Sequence, residues 1–500
     1  MKKFSRLYFK RVIAIGLILL LQLILVIFFS CYLYCCFGII KILFFVAALV
    51  LSLRIASLPC SIPCRNGWII GILSFPEIFI PIYFMFGRGG SIRKVKKYIS
   101  ENPLPVNKNV DLFSLPRNIS KQFFSLSNSG NFEIYQNTKC TYLKTGEEMF
   151  EKIKSILEKA QHYIFMEFFI IKKGTMWNDI LNILKRKSKE GVRIYLLIDD
   201  LGTICLLRKK YIQELELYGI KCRRFNVFNS RIKPDINYRD HRKIVVLDGK
   251  YAITGGANIA DEYINKEQPY GYWKDTAVYM EGDGADGFVK MFIQMWNMNG
   301  GTLKYEDYSN KSLVNENDLG LVIPFEDYPS SSIGYSESTF INMINNAEKY
   351  VFVTTPYLIP DQALVSSLCR AAESGCDVRM ITPLIPDKKY IHIITRANYI
   401  PLLKSGVKIY EYTPGFIHAK SLLCDGNIGY VGSSNLDYRS LYLHFECGVL
   451  MYNTQSVKEL DDDFHRLFTV CQKIRLDNIN VIKAEKSFIY RLLRIFSSLL

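Results

Sequence analysis

The chain has 500 residues, of which 49% are hydrophobic and 22% charged, and 63 Lys and Arg against 47 Asp and Glu leave a net charge of +16. A wholly disordered chain is excluded, because this composition supplies a large apolar core. Residues 101–471 sum to zero charge, so the excess of basic over acidic residues lies at the chain ends. This favours an anionic membrane surface as partner and argues against a nucleic-acid enzyme, which needs an excess of basic residues around its phosphate-binding face.

Residues 1–100 are predicted to form a transmembrane anchor region. No charged residue occurs in 12–40, and the apolar character resumes after Lys41 as far as Leu53. This length exceeds the core of a signal peptide, so we expect permanent membrane helices. If 12–33 and 34–53 crossed separately, Lys41 would lie within a helix and its amine would have to reach the interface or a partner.

A further apolar stretch, 67–86, contains residues that kink it or make it re-entrant: Pro76, Glu77 and Pro81. Basic clusters flank the anchor region on both sides, and the positive-inside rule places both flanks in the cytoplasm. An even number of crossings follows, and two fit better than three. The sequence therefore predicts a multi-pass protein of the cell membrane whose later domains are cytoplasmic.

The body of the chain repeats one α/β unit. Residues 160–171 and 347–359 are β-rich runs that each follow a helical pattern, and each precedes another helix and strand. Such alternation predicts a mixed, largely covered sheet in each half. We therefore predict two tandem domains, 101–300 and 301–475.

Residues 476–500 are predicted to form an amphipathic helix on the membrane surface. One helical face would carry Phe488, Leu492, Ile495, Phe496 and Leu499. Two arginines on another face, Arg491 and Arg494, would reach anionic headgroups. A helix of the protein core is the alternative, because an apolar stripe alone does not distinguish lipid from protein.

One motif occurs at the same place in both halves. The first copy reads His241-Arg-Lys243-x4-Asp248-x6-Gly255-Gly256-x-Asn258, and the second reads His418-Ala-Lys420-x4-Asp425-x6-Gly432-Ser433-Ser434-Asn435. A single His-x-Lys is most often a surface pair on a strand, but two copies at one spacing are not chance. Since side chains at i and i+2 share a face of a strand, each His and its Lys enter one site together.

These residue types suit a phosphodiester. Lysine ammonium groups and Asn amides would hold the non-bridging oxygens, while one His attacks phosphorus and the other protonates the leaving oxygen. No metal is needed for this chemistry. A zinc site is the alternative for His241 and His418, but no third ligand stands at ligand spacing in both repeats.

The two motifs are the signature of the phospholipase D superfamily, and the chain from about Lys10 to Leu500 resembles the bacterial cardiolipin synthases. The matching segments include 164–170, 199–203, 237–249, 273–276, 355–361 and 432–440. The resemblance implies two tandem phospholipase D-like α/β/α sandwich domains with a shared active site. It also implies a transfer reaction without cofactor, in which two phosphatidylglycerols become cardiolipin and glycerol through a phosphohistidine.

By similarity, His241 is the nucleophile and His418 the acid and base, although the symmetry of the sequence alone permits the reverse. The implied catalytic set also contains Lys243, Asp248, Lys420 and Asp425. The resemblance further implies substrate-binding or orienting roles for Asn258, Asn435, Ser433, Glu446 and Asp275. Glu446 would otherwise be a solvated strand residue. Many members of that family have Asn where His444 stands, which leaves the role of His444 open.

Other activities share these motifs. A phospholipase D-type hydrolase, or a transphosphatidylase with another lipid acceptor, is the nearest alternative, since the motifs govern the chemistry and not the acceptor. A nuclease is disfavoured by the neutral body and the anchor region. A non-enzymatic membrane scaffold is disfavoured because every motif residue is intact.

Overall fold

The structure is a computed structural model. It describes residues 2–36, 38–58, 62–87, 90–107, 110–112, 114–203, 209–227, 237–309, 320–329 and 334–477. The predicted surface helix at 476–500 lies outside the described residues except for its first two positions.

The amino-terminal part is helical. Its helices are α1 (Lys2–Cys36), α2 (Gly38–Ala56), α3 (Ile62–Ser74), α4 (Pro76–Ile82), α5 (Gly90–Glu101) and α6 (Arg117–Gly130). A π-helical turn, Tyr83–Gly87, follows α4. Among the described helices, α2 is the one long and apolar enough to cross a membrane; the apolar segments Leu20–Cys36 and Pro76–Met85 are shorter. Two crossings therefore remain a prediction.

The anchor region has a small core of its own. Ala48, Leu51 and Ile55 of α2 pack against Trp68 and Ile72 of α3, while many large apolar side chains of α1 and α2 are exposed. Exposed apolar surface of this extent is typical of contact with lipid.

Nearby residues account for the predicted break in 67–86 and for the charge of Lys41 within an apolar helix. The break lies at Phe75, after which Pro76 begins α4, where the missing N–H of proline costs nothing. Lys41 lies within α2, and its amine lies 5.6 Å from the ring centroid of Tyr34.

The two halves of the body have the same order of strands. Those of the first half are β1 (Thr138–Leu143), β2 (Tyr163–Phe168), β3 (Arg193–Asp199), β4 (Ile220–Phe225), β5 (Arg239–Asp240), β6 (Lys243–Leu247), β7 (Tyr251–Gly255), β8 (Tyr272–Lys274) and β9 (Ala277–Gly282). Those of the second half are β10 (Leu321–Asp327), β11 (Tyr350–Thr354), β12 (Leu358–Ile359), β13 (Asp377–Pro383), β14 (Lys408–Tyr412), β15 (Gly415–Ile417), β16 (Ser421–Cys424), β17 (Ile428–Gly432), β18 (Leu436–Asp437), β19 (His444–Tyr452) and β20 (Cys471–Lys473).

Within the described residues, the first sheet has the order β1-β9-β7-β6-β2-β3-β4, and the second has β10-β19-β17-β16-β11-β13-β14-β20. In each, three neighbouring strands run parallel, β2-β3-β4 or β11-β13-β14, and the other neighbours along these two paths are antiparallel. The first seven positions of the two sheets correspond, which confirms the predicted duplicated α/β unit; β20 has no counterpart among the described residues of the first sheet.

Helices connect and cover the sheets. They are α7 (Gly146–Leu157), α8 (Thr175–Lys189), α9 (Asp200–Thr203), α10 (Lys209–Leu217), α11 (Ala285–Met298), α12 (Tyr335–Asn345), α13 (Gln362–Glu373), α14 (Lys389–Lys404), α15 (Tyr438–Tyr442) and α16 (Gln455–Thr469), with short 3-10 turns at Asp261–Ile264 and Tyr305–Asp307. Thr145 and Asp361 cap the amino ends of α7 and α13 by accepting a backbone N–H. Gly191 and Gly375 follow α8 and α13 with φ of 89° and 95°, values that end a helix and favour glycine.

The sheets lie in layers that share a central core. Apolar residues of α7 and α8 pack on one face of the first sheet. Its other face meets α11 and α16, which also pack against the second sheet. This middle layer contains side chains from both halves, so the two sheets are held against each other by common apolar burial.

The predicted domain boundary at residue 101 needs a correction. Helix α6 lies in the range assigned to the first domain, but Ile119, Phe123 and Leu126 pack in the outer core of the second half, with Phe325 and Phe340. The apolar face of a helix packs against a sheet whose apolar face is uncovered, even when that sheet belongs to a later part of the chain. The first sheet begins only at β1.

Candidate active site

The two motif histidines begin equivalent strand pairs. His241 lies between β5 and β6, and Lys243 begins β6, where it is opposite Phe168 at the carboxyl end of β2. His418 and Lys420 immediately precede β16. In both halves the motif therefore lies at the carboxyl ends of the parallel strands, where α/β sheets generally bind ligands.

Each histidine is held by the other half of the chain. The strand β5, which leads to His241, pairs in parallel with the start of β19, and the His241 N–H donates to the Phe445 carbonyl at 2.9 Å. Correspondingly, β15 leads to His418 and pairs with β8, and the His418 N–H donates to the Lys274 carbonyl at 2.7 Å. These crossed backbone pairs bring the two motifs to the interface between the halves.

The side chains follow the same crossed pattern. His241 Nδ1 lies 2.9 Å from Glu446 Oε1, and His418 Nδ1 lies 2.7 Å from Asp275 Oδ2. Both carboxylates are fully buried, which excludes a solvated strand position for Glu446. An ionised carboxylate holds the proton on Nδ1 and leaves the Nε2 lone pair of each ring facing away from it.

The carboxylate of Glu446 is surrounded by donors. The hydroxyl groups of Ser433 and Ser440 donate to it from either side. In the first half, Gly256 stands where Ser433 stands in the second, and a Cβ there would lie 2.1 Å from Asp275 Oδ1. The glycine thus allows Asp275 to approach the site. Sequence reasoning missed Ser440, which lies eight positions after Gly432 and carries no spacing signal of its own.

The two lysines occupy matching buried positions. Each ammonium donates to the carbonyl of the histidine two residues earlier, Lys243 to His241 and Lys420 to His418. Burial lowers the pKa of Lys243 to about 8. Burial lowers that of Lys420 to about 7, and the charge of Lys243 opposes its protonation further. The charge of Lys243 in the first half therefore affects the protonation of Lys420 in the second half.

The two motif asparagines differ. The amide of Asn258 is engaged by the protein, since its oxygen accepts the Ile170 N–H at 3.0 Å and its nitrogen donates to the Tyr263 hydroxyl at 2.9 Å. Asn435 Oδ1 is buried and has no hydrogen-bond partner among the described residues.

Asp248 and Asp425 lie outside this cluster, so the structure does not bring these two predicted catalytic residues to the site. Each carboxylate accepts three backbone N–H groups at the start of a neighbouring strand: Gln161, His162 and Tyr163 for Asp248, and Glu348, Lys349 and Tyr350 for Asp425. Each lies at the far end of its strand from the lysine, about 16 Å away at strand rise for Asp248.

A local signal identifies these aspartates as turn residues. Each precedes a glycine, and both members of each pair have positive φ: 53° and 64° for Asp248-Gly249, and 54° and 70° for Asp425-Gly426. An Asp-Gly pair with positive φ at both positions forms a type I′ hairpin turn.

One group of side chains has the composition of a metal site. Ligand atoms of His241, His444 and Glu446 lie within 4.8 Å of one another. Both oxygens of Glu446 already accept hydrogen bonds, and across the described residues the other half has no equivalent trio. We therefore interpret the group as a hydrogen-bonded network around a carboxylate.

Comparison with known proteins agrees with this geometry. The family model for the cardiolipin synthase phospholipase D-like domain matches residues 153–296 and 340–468, which include both motifs. The chain belongs to this family.

Relatives match over most of their length. A cardiolipin synthase of Halalkalibacterium halodurans is 35% identical over 408 residues, 79% of this chain and 81% of that protein. An uncharacterized protein of Streptococcus mutans is 37% identical over 441 residues, 87% and 96%. In fold, the chain is similar to a phosphatidylserine synthase of Haemophilus influenzae, with a TM-score of 0.56, 15% identity, and coverage of 77% of this chain and 98% of that one.

The electrostatics of this cardiolipin synthase family member define the proton states of its site. Burial lowers the pKa of His241 to about 3 and that of His418 to about 4, although their carboxylate partners oppose the shift. Burial raises the pKa of Glu446, but His241, His444 and Lys243 together outweigh it and hold the pKa below its usual range; His418 and Lys420, with the Thr276 N–H, do the same for Asp275. At neutral pH both imidazoles are therefore neutral and both carboxylates ionised.

The lysines predict how activity depends on pH. As pH rises through about 7 and then 8, Lys420 and Lys243 lose their protons and with them their attraction for a phosphate anion. We expect kcat/KM for lipid transfer to fall as pH rises through this range. The fall in kcat should occur at a higher pH than the fall in kcat/KM, because a phosphate group bound in the site stabilises the protonated lysines. Rates measured at saturating and limiting substrate would test this, and a kcat/KM that stays level to pH 10 would contradict it.

A turn aspartate should affect stability and not catalysis. Asp248→Asn keeps the backbone geometry but replaces an ionised acceptor of three N–H groups, so we expect a loss of about 1.5 to 3 kcal/mol in the free energy of unfolding. The kcat at low temperature should remain near that of the wild type. Denaturant titration beside a transfer assay measures both quantities, and a large loss of kcat with stability unchanged would return Asp248 to the catalytic set.

Proposed function

We propose that this chain is a cardiolipin synthase that transfers a phosphatidyl group between two phosphatidylglycerol molecules, giving cardiolipin and free glycerol. The observation that carries the proposal is the crossed pairing of His241 with Glu446 and of His418 with Asp275 at the interface of the two halves. Neither half contains a complete histidine–carboxylate pair, so both halves would build one shared active site.

The first step would place the phosphatidyl group on His241. Its Nε2 lone pair attacks phosphorus and the bond from phosphorus to the glycerol oxygen breaks. His418 gives its Nε2 proton to that oxygen. The bound phosphate anion and Asp275 together favour the protonated form of His418 that this step requires, against the effect of burial.

The second step would reverse these roles. His418 takes the proton from a hydroxyl group of a second phosphatidylglycerol, whose oxygen attacks phosphorus as the bond to His241 Nε2 breaks. Lys243 and Lys420 stabilise the charge on the phosphate oxygens in both steps. No metal or other cofactor enters this sequence.

We further propose a membrane setting for this reaction. The apolar helix α2 and the exposed apolar side chains of α1 support an anchored enzyme. A multi-pass anchor with both flanks in the cytoplasm would place the catalytic domains at the anionic inner surface, where phosphatidylglycerol is the substrate.

The test is a reconstitution of the full chain in vesicles with phosphatidylglycerol as the sole lipid donor. Cardiolipin and glycerol should appear in equal amounts, at a rate that a chelator does not change. Phosphatidic acid in place of cardiolipin would identify a hydrolase, and product only after addition of another alcohol would identify a different acceptor. Loss of activity in chelator, restored by one divalent metal, would instead favour a metal site.

A further inference from the structure

The two halves of the site also differ at the position two residues before each carboxylate. Trp273 stands two residues before Asp275, and His444 stands two residues before Glu446. Each ring packs against the histidine that its own half orients: the ring centroids are 5.5 Å apart for His444 and His241, and 5.3 Å apart for Trp273 and His418. An imidazole therefore flanks one catalytic histidine and an indole flanks the other.

The imidazole of His444 points in a defined direction. Its Nδ1 lies 3.7 Å from Glu446 Oε1, the same oxygen that lies 2.9 Å from His241 Nδ1. Since both rings turn Nδ1 toward one carboxylate, both Nε2 atoms face the opposite side, which is the space where His241 would attack phosphorus.

That nitrogen lacks a protein partner. His444 Nε2 is buried and has no hydrogen-bond partner among the described residues, and the side chain is only 11% exposed. Leaving a buried polar atom unpaired costs free energy, and next to a catalytic histidine a bound substrate can supply the missing partner. Burial also lowers the pKa of His444, so that the neutral ring carries one proton.

The position of that proton follows from the neighbouring contacts. At 3.7 Å, Nδ1 is too far from Glu446 for a hydrogen bond, and that oxygen already accepts from His241 and Ser440. Only this long contact with a carboxylate favours the proton on Nδ1, whereas an anionic oxygen in hydrogen-bond contact with Nε2 favours it there. The Nε2 proton then faces that oxygen as a donor.

The surroundings of His418 have a different character. The rings of Trp273, Tyr263 and Phe416 lie 5.3, 5.7 and 5.9 Å from its ring centroid. Three aromatic rings form an apolar wall that suits the carbon skeleton of a glycerol headgroup and disfavours water.

We propose that His444 Nε2 donates a hydrogen bond to a non-bridging oxygen of the phosphate group bound at His241, whereas the aromatic wall assigns the His418 side to the glycerol alcohol. This inference rests on the proposed function and deepens it. It makes His444 a substrate-binding residue, present on the His241 side of the site and replaced by Trp273 on the His418 side.

The experiment uses the full chain in vesicles and compares His444→Phe, which keeps the ring packing, with His444→Asn, which keeps a donor. His465→Phe is the matched control, since His465 lies on α16 with a side chain 60% exposed. Cardiolipin formation is measured with phosphatidylglycerol and with the two phosphorothioate diastereomers, in which sulfur replaces one or the other non-bridging oxygen.

We expect His444→Phe to reduce turnover of phosphatidylglycerol by about ten- to a hundredfold, the cost of one lost hydrogen bond to a charged group. The ratio of rates for the two diastereomers should fall about tenfold, because one oxygen loses its specific donor. His444→Asn should recover most of both quantities, and His465→Phe should match the wild type.

Three outcomes would overturn the inference. The first is an unchanged rate in His444→Phe. The second is a reduced rate with an unchanged diastereomer ratio, which would mean that His444 only supports His241. The third is weaker inhibition by inorganic phosphate with unchanged lipid turnover, which would assign the contact to free phosphate. A wild-type chain that makes no cardiolipin would remove the proposed function, and the inference with it.

Discussion

Replacing either motif histidine, by His241→Ala or His418→Ala, should reduce cardiolipin formation by at least about 10⁴-fold, because covalent catalysis and proton transfer cannot replace one another. After incubation with labelled phosphatidylglycerol and quenching with denaturant at mildly alkaline pH, where the phosphorus–nitrogen bond of a phosphohistidine survives, protein-bound label should remain in the His418 variant and be absent from the His241 variant. The initial rate of cardiolipin formation and the retained label are the two measurements.

The control is His162→Ala, because the side chain of His162 is exposed and lies outside the cluster. It should retain full activity. Label on His241→Ala would reverse the assignment of nucleophile and acid. Substantial turnover by either catalytic variant would exclude a single site shared by the two halves.

The second large effect is expected at the carboxylates that hold the histidines. Glu446→Gln preserves size but replaces an acceptor with an amide that can also donate to His241 Nδ1. The ring then carries its proton on Nε2, which cannot attack phosphorus. We expect the rate to fall by about 10³- to 10⁴-fold, as wrong-tautomer variants of histidine–carboxylate pairs do. Asp275→Asn should have a similar effect through His418.

The two carboxylate variants should stop the reaction at different steps. Glu446→Gln should form no labelled protein, whereas Asp275→Asn should accumulate label that is released slowly. The matched control is Glu411→Gln, which removes a buried carboxylate that pairs with Arg396 at 2.8 Å outside the site. It should lower the unfolding midpoint and leave kcat unchanged. Equal effects of Glu446→Gln and Glu411→Gln on kcat would show that Glu446 acts only through stability.

Much of the fold could be predicted from local patterns. Alternating apolar runs and helical patterns in 160–171 and 347–359 correspond to β2 and β11, because strand and helix periodicities are properties of a few neighbouring residues. The position of α6 could not be predicted. Its apolar face packs on the second half, a contact between segments about 200 residues apart that no local pattern encodes.

The active site, like the fold, could be predicted from the sequence only in part. Motif spacing identified His241, Lys243, His418 and Lys420, since residues at i and i+2 of a strand share a face. The same spacing does not reveal that Asp248 and Asp425 lie apart from these four residues, where the Asp-Gly pair indicates a hairpin turn and the carboxylates accept backbone N–H groups.

By itself, the sequence determined the residue types, their duplication and hence the phosphodiester chemistry of this protein, because these follow from composition and short-range spacing. Only the tertiary structure decided which carboxylate serves which histidine. Glu446 lies 205 positions from His241 and Asp275 lies 143 positions from His418; each pair forms because β5 and β15 leave their own sheet regions to pair with strands of the other half. Such pairing depends on how two sheets pack around a common core, and packing is a property of the whole chain.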